Sequence, residues 1–129
     1  LEYFTIKKRN LLNFKKVFKK TKLSNSFLKN ITKKISKNRT KIQHKILISN
    51  ESQKNNKICI NILNNKVSIY NKKKLPFNSH YFIVQDREFN LWLNNKITFE
   101  EVLGTRRFRY HRNPNIYRVE INQIYTNFL

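Results

Sequence analysis

Four arginines, two aromatics and a histidine fall within nine positions, Gly104-Thr105-Arg106-Arg107-Phe108-Arg109-Tyr110-His111-Arg112, together with the only glycine of the chain. Elsewhere the positive charge is carried mainly by lysine. Lysine is a flexible point charge, whereas arginine is a planar fork that pairs bidentately with phosphate and stacks on rings. In an extended chain, alternate residues face opposite sides. Arg107, Arg109 and His111 would then meet phosphate or RNA while Phe108 and Tyr110 pack or stack. Gly104 would free the backbone for a bend just upstream. The competing structural account of the same residues is an edge strand protected by charge.

Other chemistry is sparse. His44, His80 and His111 are scattered, with no metal-ligand spacing between them. His44 falls on an apolar strand face and reads as a structural histidine. Glu100 and Glu101 are adjacent and point apart on any regular element, so they make a poor general acid/base pair. Asp86 and Glu88 share a strand face without companions. Cys59 alternates with isoleucines and reads as a small buried hydrophobe. A lone cysteine excludes an intramolecular disulfide and a cysteine-based zinc knuckle. One glycine excludes a glycine-rich phosphate loop. The expectation is no catalytic residue, no metal, no cofactor and no enzyme.

The elements that must position these residues belong to a chain of 129 residues, which predicts one domain. Hydrophobic residues make up 39%, enough for a small core. Net charge is +21, from 28 Lys plus Arg against 7 Asp plus Glu. Soluble small domains carry about 2–8. A compact free monomer with this charge repels itself, and a polyanion relieves the repulsion by releasing counterions. Nucleic acid is the leading partner on charge alone, and a membrane surface is an alternative of another class. No apolar run approaches the roughly 20 residues of a membrane span. Lys, Asn and Ile dominate, as in AT-rich genomes, which points to an organelle-encoded, mitochondrial protein. Residues 1–22 are basic and nearly free of acid, as a transit peptide can be.

Along the chain, Leu11, Leu12, Phe14, Val17 and Phe18 suit an amphipathic helix over residues 7–20. Ser24 or Asn25 would cap a second helix, with Phe27, Leu28, Ile31 and Ile35 on one face. The membrane alternative would use these two helices, residues 7–36. Strand alternation follows at Ile42, His44, Ile46 and Ile48, then at Ile58, Ile60 and Ile62, then at Val67 and Ile69. A turn at Asn64-Asn65 pairs Ile62 with Val67 and Ile60 with Ile69. Lys72-Lys73-Lys74 reads as a charged turn. Leu75 to Val84 reads as a strand blemished by Pro76, Asp86 to Leu93 as a helical turn carrying Trp92, and the chain from Asn94 as mostly irregular. The expected fold class is α+β: short basic N-terminal helices on a small antiparallel three-stranded sheet, with an irregular basic C-terminal extension. The expected division is a basic helical extension (1–37), a small RNA-binding domain (38–112) and a tail (113–129).

Three segments, in order, resemble one family. Glu101-Val102-Leu103-Gly104-Thr105-Arg106-Arg107-Phe108-Arg109-Tyr110-His111 is similar to the C-terminal signature of small-subunit ribosomal protein nineteen. Val67-Ser68-Ile69-Tyr70-Asn71-Lys72-Lys73-Lys74-Leu75 resembles that family's hairpin, and Asn38-Arg39-Thr40-Lys41-Ile42 its entry to the first strand. Relative to the family, Lys72 stands where the hairpin has glycine, and residues 49–65 and part of 77–95 are inserted. The resemblance implies a structural constituent of the mitochondrial small ribosomal subunit, bound to rRNA in the subunit head. It also implies neighbouring ribosomal proteins as partners, notably small-subunit protein thirteen, with no membrane and no homo-oligomer. The RNA contacts would be Arg39, Lys72, Lys73, Lys74, Arg106, Arg107, Arg109, His111 and Arg112.

Overall fold

The computed structural model describes residues 25–129. The helix expected over 7–20 and the Ser24 cap lie outside the described residues. In chain order the elements are α1 (Asn25–Ile35), β1 (Lys45–Asn50), β2 (Lys57–Asn61), β3 (Lys66–Tyr70), β4 (Ser79–Val84), α2 (Asp86–Leu93), α3 (Phe99–Gly104), β5 (Phe108–Asn113) and α4 (Val119–Phe128). The fold is α+β, as expected, but the sheet has five strands and is mixed, in the order β3-β2-β1-β4-β5. β1 runs parallel to β4, and every other pair is antiparallel.

One face of the sheet carries the main core. Ile46, Ile48, Ile58, Ile60, Phe82 and Val84 pack with Ile31 and Ile35 of α1, Phe89, Trp92 and Leu93 of α2, Phe99 and Val102 of α3, and Ile121 and Ile124 of α4. Phe82 is the hub, with ring centroids 4.8–6.1 Å from those of Phe99, Phe108, Tyr110 and Tyr125. Ile31 and Ile35, with Phe27 packed beside them, commit most of the apolar stripe of α1 to the core. Its other face keeps the lysines.

The second face holds Leu47, Cys59, Tyr81 and Ile83, with Tyr70 and Leu75 packed against them. Residues 71–78 carry the chain from one end of the sheet back to the other and contribute to this layer. Lys57, 5% exposed, lies over the Tyr70 and Tyr81 rings and donates from Nζ to the Lys72 carbonyl. Burial raises the Cys59 thiol above its ordinary value, so it stays a protonated hydrophobe, as its place among the isoleucines suggested.

Several expectations need correction. The β2–β3 hairpin forms, but Ile60 faces Val67 and Ile58 faces Ile69, two residues off the expected register. Four residues, 62–65, make the turn, and Asn65 takes the left-handed φ of 55°. Ile62 is buried and donates its N–H to the His44 carbonyl on the β1 side, and the β2–β3 ladder ends one residue before it, at Asn61 opposite Lys66. Lys72-Lys73-Lys74 is no hairpin turn, because β3 and β4 are not neighbours. The fourth strand begins at Ser79, after Pro76. Asp86–Leu93 is a helix with Trp92 buried, as expected. The chain after Asn94 is ordered rather than irregular. A capping box of Thr98 and Glu101 starts α3, β5 follows, and residues 113–129 hold α4 with two isoleucines in the core. Gly104 ends α3 without a positive φ, and the left-handed residue is Arg106, at 58°.

Candidate functional site

The register lines up Lys66, Asn61, Lys45, Ser79 and Asn113 as the last row of the sheet at one end. Three connections gather beyond this row: the 62–65 turn, the 75–78 loop and the 114–118 loop. Asn113 holds the last two together, donating from Nδ2 to the Leu75 and Pro76 carbonyls at 3.3 Å. Asn38 and Asn65 bond to each other and tie the chain entering β1 to the turn.

These connections expose large apolar side chains. Phe77 is 71% exposed and Tyr117 64%, with Leu63, Ile116 and Val119 about half exposed. Scattered exposed hydrophobes are ordinary on a protein surface, but a group at one place marks a contact surface. Cations flank the group: Lys41, Lys45, Lys66, Arg112 and Arg118. Of the described carboxylates, Glu51, Asp86 and Glu88 follow the opposite ends of β1 and β4, and Glu100 and Glu101 lie on α3. Glu120, in the first turn of α4, is the carboxylate nearest this end in sequence.

Behind the apolar rim sits a buried histidine pair. His44 Nε2 and His80 Nδ1 are 2.5 Å apart, and the rings meet edge to face at 4.5 Å. Burial first, and then the positive charge of Arg118, lowers His44 to about 4. Burial first, then His44, Arg112 and Arg118, lowers His80 to about 4. Tyr110 lies 5.6 Å from His80, and burial pushes its phenol up to about 12. A cavity of about 280 Å³ borders His44 but not His80, and Gln43, Lys45, Asn61, Leu63, Phe77 and Asn78 complete its lining. The two histidines, 36 positions apart, carry no spacing signal. The parallel β1–β4 register brings them together. Among the described residues, His44 Nδ1 and His80 Nε2 have no hydrogen-bond partner.

The arginine stretch takes the edge-strand form. β5 lies at one edge of the sheet, with Phe108 and Tyr110 packed against Phe82 and with Arg109 and His111 on the other side. Arg109 pairs with Glu51 at 2.8 Å. Arg112 falls on the helix-facing side, opposite His80, with its guanidinium over the Tyr110 ring at 5.5 Å. Arg106 and Arg107 are exposed at the entry to β5. Arg39 is exposed in the loop before β1, and Lys72, Lys73 and Lys74 are exposed after β3, the opposite edge strand. The nine expected RNA contacts are therefore divided between both edges of the sheet rather than gathered in one patch.

No protein-family model matches the chain, and no curated protein matches it. Among solved structures, sterol carrier protein-2 like-3 from Aedes aegypti superposes with a TM-score of 0.56 at 9% identity, over 81% of this chain and 94% of that one. Sterol carrier protein 2 like 2 from the same species gives 0.45 at 8% identity, over 69% and 84%. Sterol carrier protein 2 from Yarrowia lipolytica, in its apo form, gives 0.41 at 15%, over 81% and 80%. The first of these decides the fold. The chain has a sterol carrier protein-2-like fold.

This finding overturns the ribosomal resemblance and what it implied: the mitoribosomal role, rRNA and small-subunit protein thirteen as partners, and the place in translation. The geometry explains why the resemblance misled. Its hairpin segment begins in β3 and runs past it to Leu75, its closing signature runs from α3 into β5, and β3 and β5 are the two opposite edges of a five-stranded sheet. In a three-stranded meander they would have been close neighbours. Short basic-aromatic strings are what charged edge strands look like in any fold.

Proposed function

We propose that this chain is a non-enzymatic lipid-binding protein that meets an anionic lipid surface through the Lys45 end of its sheet. The observation that carries this reading is the convergence at that one end of exposed Phe77, Ile116, Tyr117 and Val119 with cations that form no ion pair among the described residues. Apolar side chains entering a lipid interface contribute roughly 25 cal/mol per Å² buried. Basic residues near an anionic leaflet add about 1 kcal/mol each. The name of the solved relative, a sterol carrier protein, agrees in ligand class. The non-enzymatic part rests on the absence of a paired acid/base set in the sequence. We also place the protein in the mitochondrion, on its Lys, Asn and Ile bias.

Co-sedimentation with phosphatidylcholine vesicles, with and without phosphatidylglycerol, tests the reading. Binding to the anionic vesicles that persists in excess RNA is the expected result. Binding to neither vesicle, or complete displacement by RNA, overturns it.

A further inference from the structure

The last turns of α1 and α4 flank a half-buried lysine, Lys34, that has no anionic partner. Its Nζ lies 5.5 Å from the centroid of the Trp92 ring, and burial lowers its pKa from the ordinary lysine value. Among the described residues it forms neither a hydrogen bond nor an ion pair. A cation held in this way has given up water without gaining an anion. The place is remote from the apolar rim. Val119 and Phe128 are the two ends of α4, a helix of 10 residues and therefore about 15 Å long.

Two clefts adjoin at Lys34. One, of about 320 Å³, is lined by Lys96, Ile97, Thr98 and Glu101, and the other, of about 410 Å³, by Asn30, Lys33 and Lys37. Lys34, Asn127 and Phe128 border both. Small-molecule pockets run from roughly 300 to 1,000 Å³. The walls are held in place: the Trp92 Nε1–H and the Phe99 N–H both donate to the Leu129 carbonyl, and Asn30 Nδ2 donates to Asn95 Oδ1. Lys33, Lys34, Lys37 and Lys96 form no ion pair among the described residues. Glu101, the acidic side chain of the lining, already accepts from the Thr98 N–H and hydroxyl in the capping box. Lysines near a helix C-terminus complement its dipole, and that accounts for Lys33 and Lys37. It accounts neither for the burial of Lys34 nor for Lys96, which comes from the loop between α2 and α3.

We propose that this groove binds a short oligophosphate, with Lys34 at its centre, Lys33 and Lys37 on one side and Lys96 on the other. Lysine meets phosphate as a compact point charge. Cations spread over two adjoining clefts call for several negative charges on a short chain, and a concave groove suits a small molecule rather than a nucleic-acid strand. Thr126 and Asn127 add neutral donors. An inorganic chain and an organic triphosphate share this chemistry, and Ile97 and Phe128 offer an apolar surface to the organic part of the second. No covalent bond changes. The site is independent of the lipid-surface reading, because the groove and the rim have no residue in common.

Trp92 is the only tryptophan of the chain, so its emission reports on Lys34 directly. The test is titration of the full chain, in about 0.15 M KCl, with tripolyphosphate, ATP and adenosine, followed by Trp92 emission and by calorimetry. Tripolyphosphate and ATP are expected to saturate one site and to change the emission, and adenosine to do neither. Tighter binding of ATP identifies an organic ligand seated on Phe128, and equal affinities identify the phosphate chain alone. Lys34→Gln should weaken both about tenfold and remove the ligand-induced emission change, while Lys34→Arg should keep most of the affinity. Lys96→Gln, at an exposed position, should weaken binding several-fold with unfolding unchanged. Lys73→Gln, in the segment over the other face of the sheet, should change affinity less than about twofold. Equal weakening by Lys34→Gln and Lys73→Gln would mean diffuse attraction by net charge and overturns the site. No saturable binding, or binding of an RNA oligonucleotide without tripolyphosphate, also overturns it. Either result leaves the vesicle test of the lipid-surface reading to stand or fall separately.

Discussion

The two ends of the sheet differ in what accompanies their cations. At the Asn50 end, Lys72, Lys73, Lys74, Arg106 and Arg107 are exposed, and carboxylates stand in the same region. Glu51 pairs with Arg109 at 2.8 Å and with Lys54 at 3.7 Å, and the Asp86 carboxylate accepts from the Ser52 N–H. At the Lys45 end, cations that form no ion pair among the described residues stand beside exposed aromatics and a buried histidine pair. The Lys45 end adds exposed apolar side chains to its cations, and this is the end to which the lipid-surface proposal assigns contact. Total charge, +21, does not distinguish the ends, but the exposed apolar side chains do.

The largest effect should come from breaking what both ends share. Phe82→Ala removes the aromatic hub and should cost about 3–5 kcal/mol, measured by urea unfolding, with both ends lost together. Next is pH. His44 and His80 sit at about 4 in the folded state against an ordinary 6.5. The folded protein thus binds fewer protons than the unfolded one between these values. Their contribution is present above pH 6.5 and is lost as pH falls towards 4. Thermal unfolding across that window should show the loss, and a double replacement of the pair by Phe should flatten it. A third effect separates the ends by partner. Phe77→Ser or Tyr117→Ser should each weaken binding to anionic vesicles about tenfold, with unfolding unchanged. The smallest concerns the paired end. Glu51→Gln removes an exposed ion pair and should cost less than about 1 kcal/mol while leaving vesicle binding intact.

Local pattern was legible where one strand face is buried and its neighbours are close in sequence. The isoleucine alternation of β1, β2 and β3 announced three strands, and Asn64-Asn65 announced the turn. The register slipped because Ile62 continues the isoleucine alternation, whereas the β2–β3 ladder ends at Asn61 opposite Lys66 and leaves Ile62 in the turn. With one glycine in the chain, asparagine takes the left-handed positions at Asn65, Asn78 and Asn95. Asparagine is also a common polar residue here, so those turns were partly hidden. β5 was visible only as a charge cluster, because an edge strand with both faces partly wet lacks an apolar stripe. α3 offered a capping box, Thr98 with Glu101, that passed unnoticed in a six-residue helix. The histidine site was illegible, since no spacing rule joins residues 44 and 80.

Composition and short-range periodicity determined by themselves that this is a basic α+β chain with a small isoleucine-rich core, one buried inert cysteine and an arginine-bearing strand. They act through each residue's own charge, burial preference and neighbours two to four positions away. The tertiary structure alone decided that β1 runs parallel to β4, that β3 and β5 become opposite edges, and that His44 meets His80 beneath an apolar rim. Those contacts depend on which distant segments shield one another's backbone and apolar faces from water. That choice is made by the whole core at once and by no local pattern.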